Sequence, residues 1–315
     1  MKRIRTFYRQ EFGILLGFLF LCLVLSLLSD RFLTLSNLTI ILRQTSINAI
    51  LAAGMTFVII SSGIDLSVGS IVALTGVIAS SIAVKGYGIT FAVMGGLLVS
   101  VVIGAFNGYI IGKHTIPPFI CTLSTMIIVR GLALVYTKGY PVFGLPQGYK
   151  FIGSGFIFSI PMPVIIMGLV YLATTFILKH TNLGFYTFAI GGNEEATRLS
   201  GVNVVGYKIK IYILNGLLAG VAGIVLSSRL NTGQPTAGEM FELDAIAAVV
   251  LGGTKLSGGA GTLLGTLIGA FIIGIIGNGL NLLDVPSFYQ YIVKGGIILL
   301  AVLIDTIRRN GNLKT

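Results

Sequence analysis

The chain has 315 residues, of which 55% are hydrophobic and 10% charged, with a net charge of +11 and a mean hydropathy of +0.97. A soluble domain carries about 25% charged residues, so this sequence cannot clothe itself in a solvated skin. Its basic residues form no patch with interleaved aromatics, which excludes a nucleic-acid surface; they sit in short loops and at the ends, where they set membrane topology.

About twenty helical residues cross a hydrocarbon core, and apolar runs occur at about 12–29, 38–61, 65–84, 89–111, 117–137, 162–179, 208–229, 243–253, 261–283 and 288–306. The expected fold is therefore all-α: a polytopic membrane helical bundle of about ten spans, with interrupted or re-entrant elements and a possible internal repeat. The 43 glycines suit such a bundle, because small residues let membrane helices approach closely. We read residues 1–315 as one transmembrane domain, with an N-terminal tail of about 1–11, an inner loop of about 180–207 and a C-terminal tail of about 307–315.

The first run has the basic flank Lys2, Arg3, Arg5 and Arg9, but Ser29-Asp30-Arg31 is a poor cleavage site, so it is read as a retained span. With an even number of spans both ends share one side. That side holds Lys113, Lys179, Arg198, Lys208, Lys255, Arg308, Arg309 and Lys314, against Arg31, Lys85, Lys138, Lys150 and Arg229 opposite. The excess of basic residues places both termini in the cytoplasm.

Between the second and third runs lies Ser61-Ser62-Gly63-Ile64-Asp65-Leu66-Ser67-Val68-Gly69-Ser70. An acid amid apolar spans costs roughly 2.5–3.5 kcal/mol on insertion scales and needs a reason. Gly and Ser around it suggest a broken helix of the kind that borders translocation sites. Asp65 reads either as the N-cap of the next helix or, with Ser67, as a contact for a moving solute. The amides Gln44, Asn48, Asn107, Asn215, Asn278 and Asn281 likewise read as glue between helices or as solute contacts, and all but Asn215 are taken as candidate pathway residues.

The outer connection, about 138–161, holds three prolines and five glycines and reads as an irregular loop with a short interfacial piece. In the inner loop, Asn193 can cap a short helix whose first turn holds Glu194 and Glu195, which favour the dipole there; Gly201 is placed to end it. Ala196 and Leu199 give this helix an apolar face suited to docking another protein. The eighth run, 243–253, is too short to cross alone. It is followed by a second polar break, Gly252-Gly253-Thr254-Lys255-Leu256-Ser257-Gly258-Gly259-Ala260-Gly261. Paired breaks in two halves are what an internally repeated transporter shows. Arg130 and Lys294 lie inside runs and require partners.

Cys22 and Cys121 read as buried small side chains, and His114 and His180 as interfacial residues; no metal or catalytic residue is assigned. No Gly-Lys-Ser or Gly-Lys-Thr tripeptide occurs, so no phosphate loop is expected in this chain.

These motifs resemble the permease subunits of bacterial ABC monosaccharide importers, those for ribose nearest. The resemblance rests on Gly54-Met55-Thr56, on Ser62 to Ser70, on Gly191-Gly192-Asn193-Glu194-Glu195-Ala196-Thr197-Arg198-Leu199-Ser200-Gly201, on Gln234-Pro235-Thr236-Ala237-Gly238, on Leu243 to Thr254 and on Asn278-Gly279-Leu280-Asn281-Leu282. Branched-chain amino-acid permeases carry Asn and His where this chain has Asp65 and Val68. The resemblance implies a non-enzymatic pathway subunit in the bacterial inner membrane. It also implies a second, identical permease copy, a separate ATPase that binds the ATP, and an extracytoplasmic sugar-binding protein. Residues Gly192, Asn193, Glu194, Glu195, Ala196, Arg198, Leu199, Ser200 and Gly201 would form the helix that couples to the ATPase. Another pentose or hexose, or autoinducer-2, remains open as the solute. A self-sufficient ion-coupled transporter remains the alternative from another class.

Overall fold

A computed structural model describes residues 2–311, with side chains for 12–297, 299, 300 and 303. The side chains of Lys2, Arg3, Arg5, Arg9, Arg308, Arg309 and Lys314, on which the expected orientation partly rests, lie outside the described residues. So do those of the expected tails 1–11 and 307–315.

The chain runs through α1 (Lys2–Leu28), α2 (Leu35–Ile60), α3 (Val68–Val84), α4 (Ile89–His114), α5 (Pro118–Thr137) and α6 (Gln147–Ser154). A two-stranded antiparallel hairpin follows, β1 (Phe156–Ile157) and β2 (Ile160–Pro161), in the register Phe156↔Pro161. Then come α7 (Met162–His180), α8 (Asn182–Gly192), α9 (Glu194–Leu199), α10 (Val204–Leu230), α11 (Phe241–Leu251), α12 (Leu263–Leu282) and α13 (Ser287–Gly311). The protein is a polytopic helical membrane protein. By length and composition α2, α4, α5, α7, α10 and α12 can each cross a bilayer, while Phe12–Leu28 of α1 and all of α3 are shorter apolar stretches.

Each apolar run of the sequence corresponds to a helix, with three differences. The run 65–84 becomes helical only at Val68, because 61–67 is a break. The segment 138–161 is more ordered than a loop: it holds α6 and the hairpin. The segment 180–207 carries α8 as well as the expected short helix. Ile190 and Gly191 of α8 are buried, and Leu183 and Phe188 pack on the core, so tertiary contact stabilises a segment whose sequence shows no clear helical face.

α2 is the central pillar. Every residue from Ala49 to Ile60 is buried, as expected for a helix apolar all round. α4 shows the opposite: Met94, Leu98, Val102 and Phe106 recur every four residues and are exposed, a lipid-facing stripe. Its other face carries Gly104, Gly108 and Gly112 and meets α10, which returns Gly216 and Gly220. A Cβ on Gly108 would lie 2.6 Å from the Ile209 Cα, and one on Gly216 would lie 2.5 Å from the Ser100 carbonyl oxygen. This is a small-residue seam with backbones in near contact.

Polar pairs bind other helices. Asn37 of α2 and Asn278 of α12 exchange amide hydrogen bonds, Asn37 Nδ2 donating at 3.0 Å and Asn278 Nδ2 at 2.8 Å, both buried. A double-mutant cycle of Asn37→Leu and Asn278→Leu on the solubilised protein is expected to return a coupling of about 0.6–1.7 kcal/mol, the range of membrane hydrogen bonds. Strict additivity in thermal unfolding would remove the pair as glue. At the C-terminal end of α10, Ser228 Oγ donates to the Tyr149 carbonyl at 2.7 Å and accepts from Gly153 N at 2.6 Å, pinning α6.

Candidate translocation and coupling sites

α2 ends at Ile60 because Ser62 takes a left-handed backbone (φ 62°) and Gly63 N folds back to the Val58 carbonyl at 2.9 Å. The chain then re-enters the bundle without helix. Asp65 Oδ1 accepts from Ser67 N at 2.9 Å and Ser67 Oγ at 2.5 Å; Oδ2 accepts from Asn215 Nδ2 of α10 at 2.8 Å. Ser67 Oγ accepts from Asn107 Nδ2 of α4 at 2.9 Å, and Asn107 Oδ1 accepts from Thr125 Oγ1 of α5 at 2.7 Å. Thr122 Oγ1 lies 3.2 Å from the Ile64 carbonyl and 2.9 Å from that of Pro118.

Three helices are thus fastened to one break through one carboxylate. Asp65, Ser67 and Asn107 are wholly buried. The N-cap of α3 is Ser67, not Asp65, which corrects the first reading: Asp65 closes a turn two residues earlier by accepting from Ser67 N. Three donors stabilise the carboxylate at this depth without a cation at salt-bridge distance among the described residues.

The remaining pathway candidates are scattered. Asn278 is committed to Asn37, and Asn281 accepts from Gln290 Nε2 at 2.8 Å near the far end of α12. Gln44 and Asn48 lie one turn apart on α2, half-buried, and Asn48 Oδ1 is a buried acceptor without a partner among the described residues. These four do not converge with Asp65 on one cavity.

The two polar breaks do converge. The second one folds as a tight turn, Lys255 N to the Ala260 carbonyl and Gly258 N to the Lys255 carbonyl, each 3.0 Å, with positive φ at Gly253, Gly258 and Gly259. Gly259 N then donates to the Ile60 carbonyl at 2.9 Å. Ser62 Oγ lies 2.9 Å from the Ser257 carbonyl and 3.2 Å from that of Gly191. The end of α2, the α11–α12 turn and the end of α8 therefore meet at one junction. A Cβ on Gly191 would overlap the Ile60 carbonyl oxygen, whereas one on Gly192 would meet nothing within 4 Å.

From that junction the chain passes directly into α9. Asn193 Oδ1 accepts from Ala196 N at 2.9 Å, and Gly201 (φ 81°) follows the helix, as the capping pattern implied. Glu194 takes Lys208 Nζ of α10 at 2.7 Å and Arg198 at 3.1 Å; Glu195 takes Arg198 at 3.3 Å. Ala196 and Leu199 are exposed, Leu199 at 81%. Beside this helix a cavity of about 200 Å³ is lined by Ser61, Ser62, Thr115, Glu194, Lys208 and Tyr212, among others.

Arg130 and Lys294 find partners that sequence could not name. Arg130 Nη1 donates to the Pro235 and Ala237 carbonyls, both at 2.8 Å, and Lys294 Nζ binds the buried Asp244 carboxylate at 2.8 Å. Asn215, Thr122, Thr125 and Ser62 carry much of the geometry. Asn215 stood out as an amide in a span and Ser62 as part of the first polar break, whereas the only signal of Thr122 and Thr125 was a hydroxyl within an apolar run.

Residues 37–302 match the family described as the branched-chain amino acid transport system permease component. The chain belongs to this permease family. The permease is 53% identical over 295 residues to the ribose import permease protein RbsC of Escherichia coli K12, covering 92% of each chain. It is 50% identical over 298 residues to RbsC of Bacillus subtilis 168, covering 94% of this chain and 92% of the relative. The xylose transport system permease protein XylH of E. coli K12 is 37% identical over 337 residues, covering 87% and 86%. No solved structure matches the permease.

Proposed function

We propose that this chain is the transmembrane subunit of an ATP-driven importer of a monosaccharide, ribose before other pentoses or hexoses. The observation that carries the reading is the junction between the two breaks and the exposed helix α9, joined to 50–53% identity with ribose import permeases over nearly the whole chain. A subunit driven from outside needs a surface on which force is applied and a stiff route inward. α9 supplies the first and the Ser62–Gly191–Ser257 junction the second.

On this reading the ATPase receives α9 in a cleft, with Leu199 and Ala196 seated in apolar contact and Glu194, Glu195 and Arg198 holding the helix in shape. Both termini and α9 lie in the cytoplasm. ATP is bound by the partner, and this chain performs no chemistry. A sugar-binding protein delivers solute on the opposite side, where α6 and the hairpin stand, and a second copy of the permease completes the pathway. The candidates Asp65, Ser67 and Asn107 act in it as the strut that holds the break. Gln44 and Asn48 are half-buried on α2, Asn48 with a buried acceptor oxygen, while Asn278 and Asn281 hold helix ends.

Uptake of radiolabelled ribose by proteoliposomes containing the permease, its ATPase and its binding protein is expected to require ATP and all three components. Uptake by the permease alone under an ion gradient would establish the ion-coupled alternative instead. Leu199→Asp is expected to weaken ATPase binding by about tenfold or more, about 1.4 kcal/mol, as for a buried apolar anchor. Unchanged co-purification of the ATPase would take the docking role away from this face.

A further inference from the structure

Residues 231–240 are the part of the bundle that is not helical yet runs deep. Gly233 packs against Ser80 and Gly76 in the last turns of α3 and pairs its backbone with Val142 of the segment 138–161. Five residues later Gly238 packs against Gly69 and Val72 at the start of α3. Gly69 stands fifteen residues before Val84, about 22 Å along the helix, in a hydrocarbon layer about 30 Å thick. The segment therefore descends most of the way down α3 before α11 takes over. α11, with eleven residues, completes the crossing that it is too short to make alone.

Arg130, seven residues from the end of α5, reaches in to hold the Pro235 and Ala237 carbonyls. Further backbone groups are closed locally, Ala237 N to the Gln234 carbonyl at 3.1 Å and Phe241 N to that of Gly238 at 3.2 Å. The exposed side chains of residues 234–239 are those of Gln234, Thr236 and Glu239, with Gln234 Nε2 donating to Thr236 Oγ1 at 3.4 Å. Between them Pro235 and Gly238 are buried. Irregular backbone at membrane depth occurs only inside protein or along a water-filled cavity, and an exposed acid there does not face lipid.

We infer that residues 234–239 line the aqueous pathway, and that Gln234, Thr236 and Glu239 form a stepwise hydrogen-bonding track for a neutral polyhydroxylated solute. An amide, a hydroxyl and a carboxylate offer both donors and acceptors, which is what sugar hydroxyls require. Arg130 acts as a positioning residue: by holding the Pro235 and Ala237 carbonyls it fixes the turns on which the three exposed side chains stand. Those side chains are open on the single chain, and a second copy of this chain closes over them. The solute class rests on the sugar-import reading; the water-facing geometry does not.

Single-cysteine variants Gln234→Cys, Thr236→Cys and Glu239→Cys, in the permease assembled with its ATPase and binding protein in proteoliposomes, separate the two. A charged, water-soluble methanethiosulfonate reagent is expected to label all three, mapped by peptide mass, and labelling is expected to abolish uptake. Leu132→Cys, on the exposed apolar face of α5, is expected to resist it. Labelling no faster than at Leu132→Cys, with uptake intact, would overturn the pathway assignment whatever the solute. For the hydrogen-bonding role, Thr236→Val is expected to raise KM for ribose and Thr236→Ser to restore it. Equal KM for Thr236→Val and the unmodified permease would overturn it. Failure of the import reading is a separate result: it is read as uptake by the unmodified assembly that does not need ATP.

Discussion

Gly191→Ala is expected to abolish ATP-driven sugar uptake while Gly192→Ala, one residue on, leaves it unchanged. The added methyl at 191 would overlap the Ile60 carbonyl oxygen, which already accepts from Gly259 N, so the two polar breaks must separate. Overpacking of this kind costs about 1–3 kcal/mol, and the contact it opens is the one joining α8 to α2. At Gly192 the same methyl meets nothing within 4 Å, and the change in stability is expected within about 0.5 kcal/mol. The measurement is uptake against ATP hydrolysis in reconstituted assemblies: Gly191→Ala should hydrolyse ATP without moving sugar. Equal uptake by the two variants would show that force does not pass through this junction.

The second large effect is expected at Asp65. Asp65→Leu removes the acceptor for Ser67 N, Ser67 Oγ and Asn215 Nδ2 in a wholly buried setting. Each orphaned donor costs about 1–3 kcal/mol, so the variant is expected to lose at least about 3 kcal/mol and most of its folded yield. Asp65→Asn keeps one oxygen but turns the other acceptor into a donor facing the Asn215 amide, and is expected to fall between the two. The comparison is made by thermal unfolding of the solubilised permease. Wild-type stability in Asp65→Leu would mean that the strut holds nothing.

The helices were legible because membrane spans are written in composition. α2, α4, α5, α7, α10 and α12 are long apolar stretches, and no tertiary knowledge is needed to find them. The α9 cap was legible because Asn193, Glu194, Glu195 and Gly201 act within a few residues of one another. α8 was not, since its helix is held by burial against distant residues. The role of Asp65 was half visible: the acid stood out, but its partners Asn215 and, through Ser67, Asn107 belong to other helices, and single-sequence spacing says nothing about which helices touch. The same limit hid the carbonyls that hold Arg130 and the carboxylate that holds Lys294. The pathway candidates Asp65, Ser67 and Asn107 are joined to one another and, beyond that, to Asn215 and Thr125.

The bond between Asp65 and Asn215 spans 150 positions of the chain. Synthesis at about 5–20 residues per second leaves roughly 8–30 seconds between the emergence of the two residues. Throughout that interval the first half of the protein carries a carboxylate whose α10 partner does not yet exist, so the bond that fastens the break to α10 is set by the order of synthesis as well as by the fold.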